Sequence, residues 1–308
     1  VPFLAKTAAI TQLPSVASLG SLRALPPPRG ERQAFIGFGD PWFSSEQAAE
    51  AAREQQVGQL QTRGARTVVA MRGVPLVRRN APTTQNVDSA ELAQLPRLPD
   101  TADEVRSIAL ALNADLTKDV FIGRDANERR VRSMDISNRK VVMFATHGLI
   151  PGDLNGLTQP ALALSAPNVA DIDGDGLLTL DEVLALKLNA DWVVLSACNT
   201  ATGDGAGAEA VSGLGRAFFY AGTRALLVSN WPVETTSARE LTTDLFRRQA
   251  QNPMLSRAEA MRQAMVALID GQGYVDPDSK QAVFSYAHPI FWAPFSLVGD
   301  GGGAQPGG

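Results

Sequence analysis

Residues 190–200 read "ADWVVLSACNT", an apolar and β-branched run that ends in small polar residues. A run this short, followed by a polar and Gly-rich turn, predicts a buried β-strand rather than a helix. It also contains Cys198, the only cysteine among the 308 residues. In parallel α/β sheets, ligands and chemistry gather at the carboxyl ends of the strands, so this position directs attention to the thiol.

A second run, "KVVMFATHG" (140–148), has the same character and ends in His147. If the two strands are parallel neighbours, the imidazole and the thiol of Cys198 reach the same crevice. A base beside a thiol is the pair that nucleophilic catalysis needs, because the thiolate attacks a carbonyl carbon. The backbone N–H groups of Gly148 and Cys198 would then face the oxyanion. The alternative is that Cys198 packs as a small, inert hydrophobe.

The remaining pattern alternates strands with helices, which predicts an α/β fold with a largely parallel sheet. Thr101 and Glu104 form a capping-box pattern at the start of one helix. Residues 44–98 show weak periodicity and predict long loops or a mobile insertion. The other predicted strands are "AFIGFGD" (34–40), "TKDVFIG", "PALALSA", "TRALLVSNWPV" and "APFSLVGD". The other predicted helices include "RDANERRVRSM", "LDEVLALKL", "GAEAVSGLGRAFFYAG", "TTSARELTTDLFRRQA" and "SRAEAMRQAMVALI".

The composition limits the classes of partner and compartment. A chain of 308 residues, 44% hydrophobic, suits one large domain or two small ones. Its formal net charge of −4 indicates no nucleic-acid partner, and no apolar stretch approaches the length of a membrane span. A single cysteine cannot form an internal disulfide, which fits a reducing compartment, and we expect the cytoplasm. The start, "VPFLAKTAAI", is interpreted as a cut or processed end rather than a signal peptide.

The chain resembles the CHAT domain, a caspase-like domain often found behind tetratricopeptide repeats. "FATHGL" is followed about 50 residues later by "VVLSACNTATGDG", and this combination is highly specific. Further segments match in the usual order, from about residue 7 to 299. They are "LPSVASLGSLRAL", "FIGFGDPWF", "LPRLPDTADEVRSIA", "ALALSAP", "DGLLTLDEVLALKLNADWVVLSAC", "GLGRAFFYAGTRALLVSNWPV" and "HPIFWAPFSLVGD".

This resemblance implies a caspase-like, mostly parallel sheet flanked by helices on both faces. We expect one CHAT domain over 1–299, with an N-terminal part (1–98) that carries long loops and a catalytic part (99–299). Residues 300–308 are expected to form a flexible Gly-rich tail.

The relatives implied by the resemblance are the caspase, gingipain and separase cysteine peptidases. Their histidine and cysteine end successive strands, which maps onto His147 and Cys198. Ser196 and Ala197 stand where that clan often has an acidic residue, so no charge preference for substrate is carried over. The other histidine, His288, precedes a proline in "YAHPIFWAPF" and is assigned to packing or to anchoring a substrate loop.

Five residues in loops near the two strand ends are candidates for substrate binding. The carboxylates would favour a basic residue before the scissile bond if they line the pocket, although ordinary solvation of the loops is the alternative. The aromatic and amide side chains would wall the cleft, or else belong to the core. The candidates are Asp153, Asp204, Glu209, Asn230 and Trp231.

The stretch "DIDGDGLLTLDE" (171–182) fits the pattern of an EF-hand calcium loop, with Gly176 at its sharp turn. Oxygen ligands in a flexible loop favour Ca²⁺, and an ion there would order the start of the next helix. The alternative is a solvated helix cap, because acidic side chains are favoured at a helix N-terminus. The predicted ligands are Asp171, Asp173, Asp175, the Leu177 carbonyl, Thr179 and Glu182.

We therefore interpret the sequence as a cysteine endopeptidase that cleaves a protein substrate through His147 and Cys198. Its expected regulators are a partner protein, tetratricopeptide repeats outside this chain, or calcium. One alternative is a non-catalytic interaction or sensing module, with calcium as one candidate signal, in which Cys198 is buried and inert. A third is another acyl transfer by the same dyad, such as ligation or the hydrolysis of a small amide.

Overall fold

The structure is a computed structural model that describes residues 3–15, 17–25, 30–58, 89–196, 206–276 and 279–302. Its α-helices are α1 (Ser18–Arg23), α2 (Ser45–Gly58), α3 (Asp100–Ala111), α4 (Glu128–Ser133), α5 (Pro167–Ala170), α6 (Leu180–Ala185), α7 (Ala206–Ala221), α8 (Thr235–Gln251), α9 (Arg257–Asp270) and α10 (Pro289–Trp292). Its strands are β1 (Gln33–Gly39), β2 (Val120–Ile122), β3 (Arg139–Ala145), β4 (Gly148–Leu149), β5 (Ala161–Ala163), β6 (Leu177–Thr179), β7 (Trp192–Leu195), β8 (Ala225–Ser229), β9 (Tyr274–Val275), β10 (Ala282–Phe284) and β11 (Phe295–Gly299). Short 3₁₀ turns occupy Leu4–Lys6, Ser89–Gln94 and Gly123–Asp125.

The central sheet has the strand order β11-β8-β7-β3-β1-β2. All neighbouring pairs are parallel except β11 with β8, which is antiparallel. The predicted α/β class with a mostly parallel sheet is therefore confirmed. The parallel strands all end at one edge, which is called the carboxyl edge below.

Both faces of this sheet are covered, so its strands carry apolar side chains on both sides. In β3, Val141 and Met143 pack with α3, α8 and α9, whereas Val142 and Phe144 pack with α4, α6 and α7. Alternate residues of a strand point to opposite faces, which explains the unbroken apolar run in the sequence. The expected helices on both faces are present.

A small second sheet, in the antiparallel order β4-β5-β6, continues the chain beyond His147. The predicted strand "PALALSA" belongs here, not to the parallel sheet between its sequence neighbours. The side chains of Ala161 and Leu177 join a separate apolar cluster with Phe43, away from the two faces of the central sheet. This sheet holds the turn that follows His147.

The prediction of long loops over 44–98 is wrong for residues 45–58. Residues 45–58 form α2, because Ala, Glu, Gln and Arg are strong helix formers even without a clear apolar stripe. The Ser44 hydroxyl accepts from the backbone N–H of Gln47 at 3.3 Å, as an N-terminal cap does. Residues 59–88 lie outside the described residues.

Helix α3 begins without the capping box that was predicted for Thr101 and Glu104. Its N-cap position is Pro99, and no side chain caps it. Both predicted capping residues are fully buried and face the central sheet instead. Gly39 allows this close packing, since a Cβ atom there would lie 2.9 Å from Val105 Cγ2 and 3.1 Å from the Thr101 carbonyl oxygen.

The first residues of the predicted C-terminal tail pack against the domain. Residues 300–302, at the start of the predicted tail, pack on α9, where Arg257 pairs with Asp300 at 2.7 Å. The rest of the predicted tail, 303–308, lies outside the described residues.

Within the described ranges, no helix has both the length and the apolar character needed to cross a membrane.

Candidate active site

The two strands that precede His147 and Cys198 are parallel neighbours, as predicted. Their register pairs Phe144 of β3 with Leu195 of β7. The backbone N–H of Ser196 continues this ladder by donating to the Phe144 carbonyl at 3.1 Å. His147 lies three residues after Phe144, and Cys198 lies three residues after Leu195. Cys198 itself lies in 197–205, outside the described residues, so its distance from His147 remains a prediction.

His147 is 3% exposed and lies just past the carboxyl edge of β3. Its Nε2 is 2.8 Å from the carbonyl oxygen of Pro96, and its ring packs at a tilt against Phe43, with centroids 5.6 Å apart. A carbonyl oxygen only accepts hydrogen bonds, so Nε2 carries the proton in this contact. The neutral imidazole therefore has its free lone pair on Nδ1.

Burial lowers the pKa of His147 below its ordinary value, and the hydrogen bond with the Pro96 carbonyl opposes this effect. Removing water penalises the charged imidazolium more than the neutral ring. The neutral form, which accepts a proton at Nδ1, is therefore favoured near pH 7.

The backbone after β3 is anchored to β5. The N–H of Ala163 donates to the His147 carbonyl at 2.9 Å, and the Thr146 hydroxyl donates to the Ala163 carbonyl. Gly148 lies opposite Leu162, the next pair along this antiparallel ladder. Since hydrogen-bonded and non-hydrogen-bonded pairs alternate, the Gly148 N–H is expected to point away from β5.

A buried carboxylate supports the end of β7. The Ser196 hydroxyl donates to Glu104 Oε2 at 3.0 Å, and the Thr242 hydroxyl lies 3.3 Å from Oε1. Glu104 is fully buried on α3, and α8 supplies Thr242. Ser196 precedes Cys198 by two positions. Ser196, the residue after β7, is thus held by a side chain that the sequence assigned to a helix cap.

A third polar group lies at the same edge and was missed by the sequence reasoning. Asp40 follows β1, which pairs with β3, and it forms a two-point ion pair with Arg97: Nε to Oδ1 is 2.9 Å and Nη2 to Oδ2 is 2.8 Å. Burial raises the pKa of Asp40, while Arg97 acts in the opposite direction. The signal was present, because "AFIGFGD" also ends a buried strand in a polar residue.

Comparison with known protein families shows to which family this chain belongs. The family model of the CHAT domain matches residues 2–300, nearly the whole chain. The chain belongs to the CHAT domain family. The family is related to the caspase-like peptidases, and the mostly parallel sheet with helices on both faces agrees with that fold.

A curated relative carries the same kind of segment within a far longer protein. Tetratricopeptide repeat protein 28 of Mus musculus is 31% identical over 123 residues, which are 40% of this chain. The chain spans only 4% of the length of that relative. The similarity therefore concerns a part of the CHAT domain and not the activity of the larger protein.

The structure describes three of the predicted substrate-binding residues of this CHAT domain and gives local contacts to two of them. The Asp153 carboxylate accepts from the backbone N–H of Ile150 at 2.8 Å and closes its own turn. Asn230 Nδ2 donates to the Pro294 carbonyl at 2.9 Å, and Trp231 is 39% exposed just past β8. Asp204 and the side chain of Glu209 lie outside the described residues. A role in substrate binding stays a prediction for all five.

His288 is the N-cap residue of α10. Its Nδ1 accepts from the backbone N–H of Ile290 at 3.2 Å. This contact agrees with the structural role that the sequence assigned to His288.

The predicted calcium loop of the CHAT domain begins after the one-turn helix α5, not directly after a strand. Asp171 ends that helix with a left-handed φ of 57°. Asp173 is exposed and lies 3.5 Å from Arg129 Nη2. Asp175 Oδ1 accepts from the backbone N–H of Leu177 at 2.9 Å, and burial raises the pKa of the Asp175 carboxyl.

The far end of the loop is occupied by contacts within the protein. Thr179 and Glu182 form a capping box at the start of α6. Arg132 Nη1 lies 2.8 Å from Glu182 Oε1 and 2.7 Å from Glu128 Oε1, so one guanidinium bridges two carboxylates. Among the described residues, no group of three or more His, Cys, Asp or Glu side chains is arranged to hold a metal. Calcium binding stays a prediction, and it requires Glu182 to leave these partners.

Proposed function

We propose that this CHAT domain is a cysteine endopeptidase, with Cys198 as the nucleophile and His147 as its base. The observation that carries the proposal is the hydrogen bond between His147 Nε2 and the Pro96 carbonyl. It leaves the Nδ1 lone pair free at the edge where β3 and β7, adjacent and parallel, both end. A base oriented by a third group is the arrangement expected beside an activated nucleophile.

The proposed reaction uses these groups in sequence. His147 Nδ1 removes the thiol proton, and the thiolate of Cys198 attacks the carbonyl carbon of the scissile peptide bond. The resulting imidazolium protonates the leaving amine, which departs and leaves a thioester. Water, deprotonated by His147, then attacks the thioester and releases the acid and the free thiol. The N–H groups of Gly148 and Cys198 are proposed to bind the oxyanion of both tetrahedral intermediates.

The substrate cleft is proposed to run along the carboxyl edge. The exposed ring of Trp231 follows β8 there, beside the end of β7. An exposed aromatic ring next to a strand end provides apolar area for a bound peptide. Asn230 is proposed to hold this wall in place through its contact with the Pro294 carbonyl.

Control by tetratricopeptide repeats is proposed from the curated relative, whose name contains that repeat. The repeat region or a separate partner protein would bind the CHAT domain and regulate access to the cleft. Ordering of the 171–182 loop by calcium is proposed as a further input, because α6 follows that loop and leads toward β7.

The test is cleavage of a complex peptide mixture, with new termini identified by mass spectrometry. We expect cleavage by the wild type, a loss of about 10⁶-fold in Cys198→Ala, and a loss of about 10²–10⁴-fold in His147→Gln. His288→Asn is the matched control, since asparagine keeps an N-cap acceptor and should leave cleavage unchanged. Retained cleavage in Cys198→Ala, or none by the wild type, would contradict the proposal.

The second candidate is a non-catalytic interaction module, and the burial of His147 favours it. At 3% exposure, the imidazole is closed off from bulk water in the described structure. In this case the wild type cleaves nothing in the same mixture and binds its partner equally well after Cys198→Ala.

A further inference from the structure

Asp40 occupies an unusual backbone position at the carboxyl edge. It follows β1 with a φ of 44°, a left-handed conformation that asparagine, aspartate and glycine tolerate best. The register pairs Gly39 with Ala145, so Asp40 and His147 leave adjacent strands at the same edge. The Asp40 side chain is only 3% exposed, so its charge is withdrawn from water.

Arg97 is the partner that compensates this buried charge. Its fork makes two parallel contacts with the Asp40 carboxylate, at 2.9 and 2.8 Å, which is the strongest geometry available to such a pair. Its third contact, from Nη1 to Glu54 Oε2 at 2.6 Å, reaches a half-exposed carboxylate on α2. The guanidinium is therefore fixed from two sides.

The chain on either side of Arg97 is fixed to the same place. The Asp40 N–H donates to the Thr101 hydroxyl at 2.7 Å, and that hydroxyl donates to the Leu98 carbonyl at 2.7 Å. On the other side, the planar peptide unit that joins Arg97 to Pro96 contains the carbonyl facing His147. Displacing Arg97 therefore moves that carbonyl.

We propose that the Asp40–Arg97 ion pair is a positioning clamp, which holds the Pro96 carbonyl against His147 Nε2 and thereby selects the tautomer with its lone pair on Nδ1. Asp40 and Arg97 are positioning residues and touch no substrate. The catalytic consequence rests on the proposed function, whereas the effect on the tautomer does not. A base in the wrong tautomer would present an N–H to the thiol and be unable to accept its proton.

A structural role alone is a weaker explanation of the same contacts. Buried ion pairs contribute little net stability compared with apolar residues of similar volume, so a stabilising role alone does not account for this two-point geometry. The chain offers a comparison in the buried pair of Arg257 and Asp300, in which Nη2 lies 2.7 Å from the Asp300 carboxylate and Nε donates to the Asp300 backbone carbonyl at 2.6 Å. That pair lies at the opposite edge, because Asp300 follows the antiparallel strand β11.

The primary test is nitrogen-15 NMR of the His147 ring, which needs neither substrate nor activity. The wild type should show one protonated and one unprotonated ring nitrogen, with the proton on Nε2. In Arg97→Lys and Asp40→Asn, the two nitrogen signals should move toward each other as the tautomers mix. Asp300→Asn should leave them unchanged. An unaltered His147 tautomer in a folded clamp variant would overturn the proposal.

A second variant guards against misfolding, because a single substitution leaves a buried charge without its partner. The double variant Asp40→Asn plus Arg97→Gln removes both charges and keeps hydrogen-bonding side chains of similar shape. It should fold and still show mixed tautomers, and a single wild-type tautomer in it would overturn the clamp.

The kinetic readout separates this proposal from the proposed function. If the wild type cleaves peptides, the clamp variants should lose about 10²-fold in kcat with little change in KM. If the wild type cleaves nothing while the clamp variants mix the tautomers, the clamp stands and the peptidase proposal fails. Higher activity in the clamp variants would overturn the proposal, because it would mean that the contact between the Pro96 carbonyl and His147 inhibits the reaction.

Discussion

At the scale of single residues, the burial of His147 makes its titration a test of the site. Burial lowers its pKa below 6.5 in the folded chain. The neutral base should thus persist as the pH falls past 6.5 and be lost only through the lowered pKa. By linkage, the contribution of His147 to the unfolding free energy is complete above pH 6.5 and declines as the pH falls through the folded pKa.

We predict that His147 titrates below 6.5 in Cys198→Ala, where no thiol is coupled to it. Carbon-13 or nitrogen-15 NMR of the ring measures this pKa, and His288→Asn assigns the signals by removing the other histidine. A midpoint at or above 6.5 would show that water reaches the imidazole and that the described burial is incorrect.

Only part of the site could be predicted from side-chain identity. His147 was predictable because a polar residue ends a strand, and the same rule would have identified Asp40. The contribution of Pro96 comes from a backbone carbonyl, which every residue has, so no sequence signal distinguishes it. Glu104 was misinterpreted because its spacing from Thr101 fits a helix cap, and only the packing of α3 on the sheet shows another use.

At the scale of elements, the close contact of β1 with α3 positions the residues that surround the site. Gly39 makes it possible, because any Cβ there would lie too near Val105 and the Thr101 carbonyl. We predict that Gly39→Ala lowers the free energy of unfolding by about 1–3 kcal/mol through overpacking. Chemical denaturation measures the change.

The control for this prediction is Gly20→Ala in α1. A Cβ atom at Gly20 meets no atom within 4 Å, so the change should be neutral or stabilise by about 0.5–1 kcal/mol. Equal effects of the two substitutions would mean that the approach of α3 does not depend on Gly39.

The calcium prediction also belongs to this scale, because it concerns the 171–182 loop, which follows α5 and includes β6 and the start of α6. Arg132 already forms an ion pair with Glu182, so an ion has to displace a guanidinium. We predict weak Ca²⁺ binding by the wild type and about fivefold tighter binding by Arg132→Gln, which removes a partly exposed ion pair of ~1 kcal/mol. Isothermal titration measures both affinities.

Asp173→Ala plus Glu182→Gln is the control and should abolish the binding heat. If neither the wild type nor Arg132→Gln binds calcium at millimolar concentration, the 171–182 loop is a helix cap closed by arginine. The EF-hand pattern of this loop would then not indicate a calcium site.

At the scale of the whole molecule, the sequence was sufficient to predict the central sheet but not the second sheet or helix α2. Runs such as those of β3 and β7 are apolar on both faces, which is the pattern of a covered parallel sheet, and their adjacency followed. Strands as short as β4 have too few residues to show any period, so the second sheet went unpredicted. Helix α2 was missed because its propensity comes from alanine and glutamine, not from an apolar stripe.

The central claim is that His147 activates Cys198, and the single cysteine allows a direct measurement without a known substrate. The rate of alkylation by iodoacetamide is followed by mass spectrometry across pH in the wild type and in His147→Gln. An unassisted thiol has a pKa of about 8.5, so only a few per cent is thiolate at neutral pH. The account predicts a rate at pH 7 about tenfold higher in the wild type, with its inflection well below 8.5. Equal rates in both proteins, each with an inflection near 8.5, would contradict it.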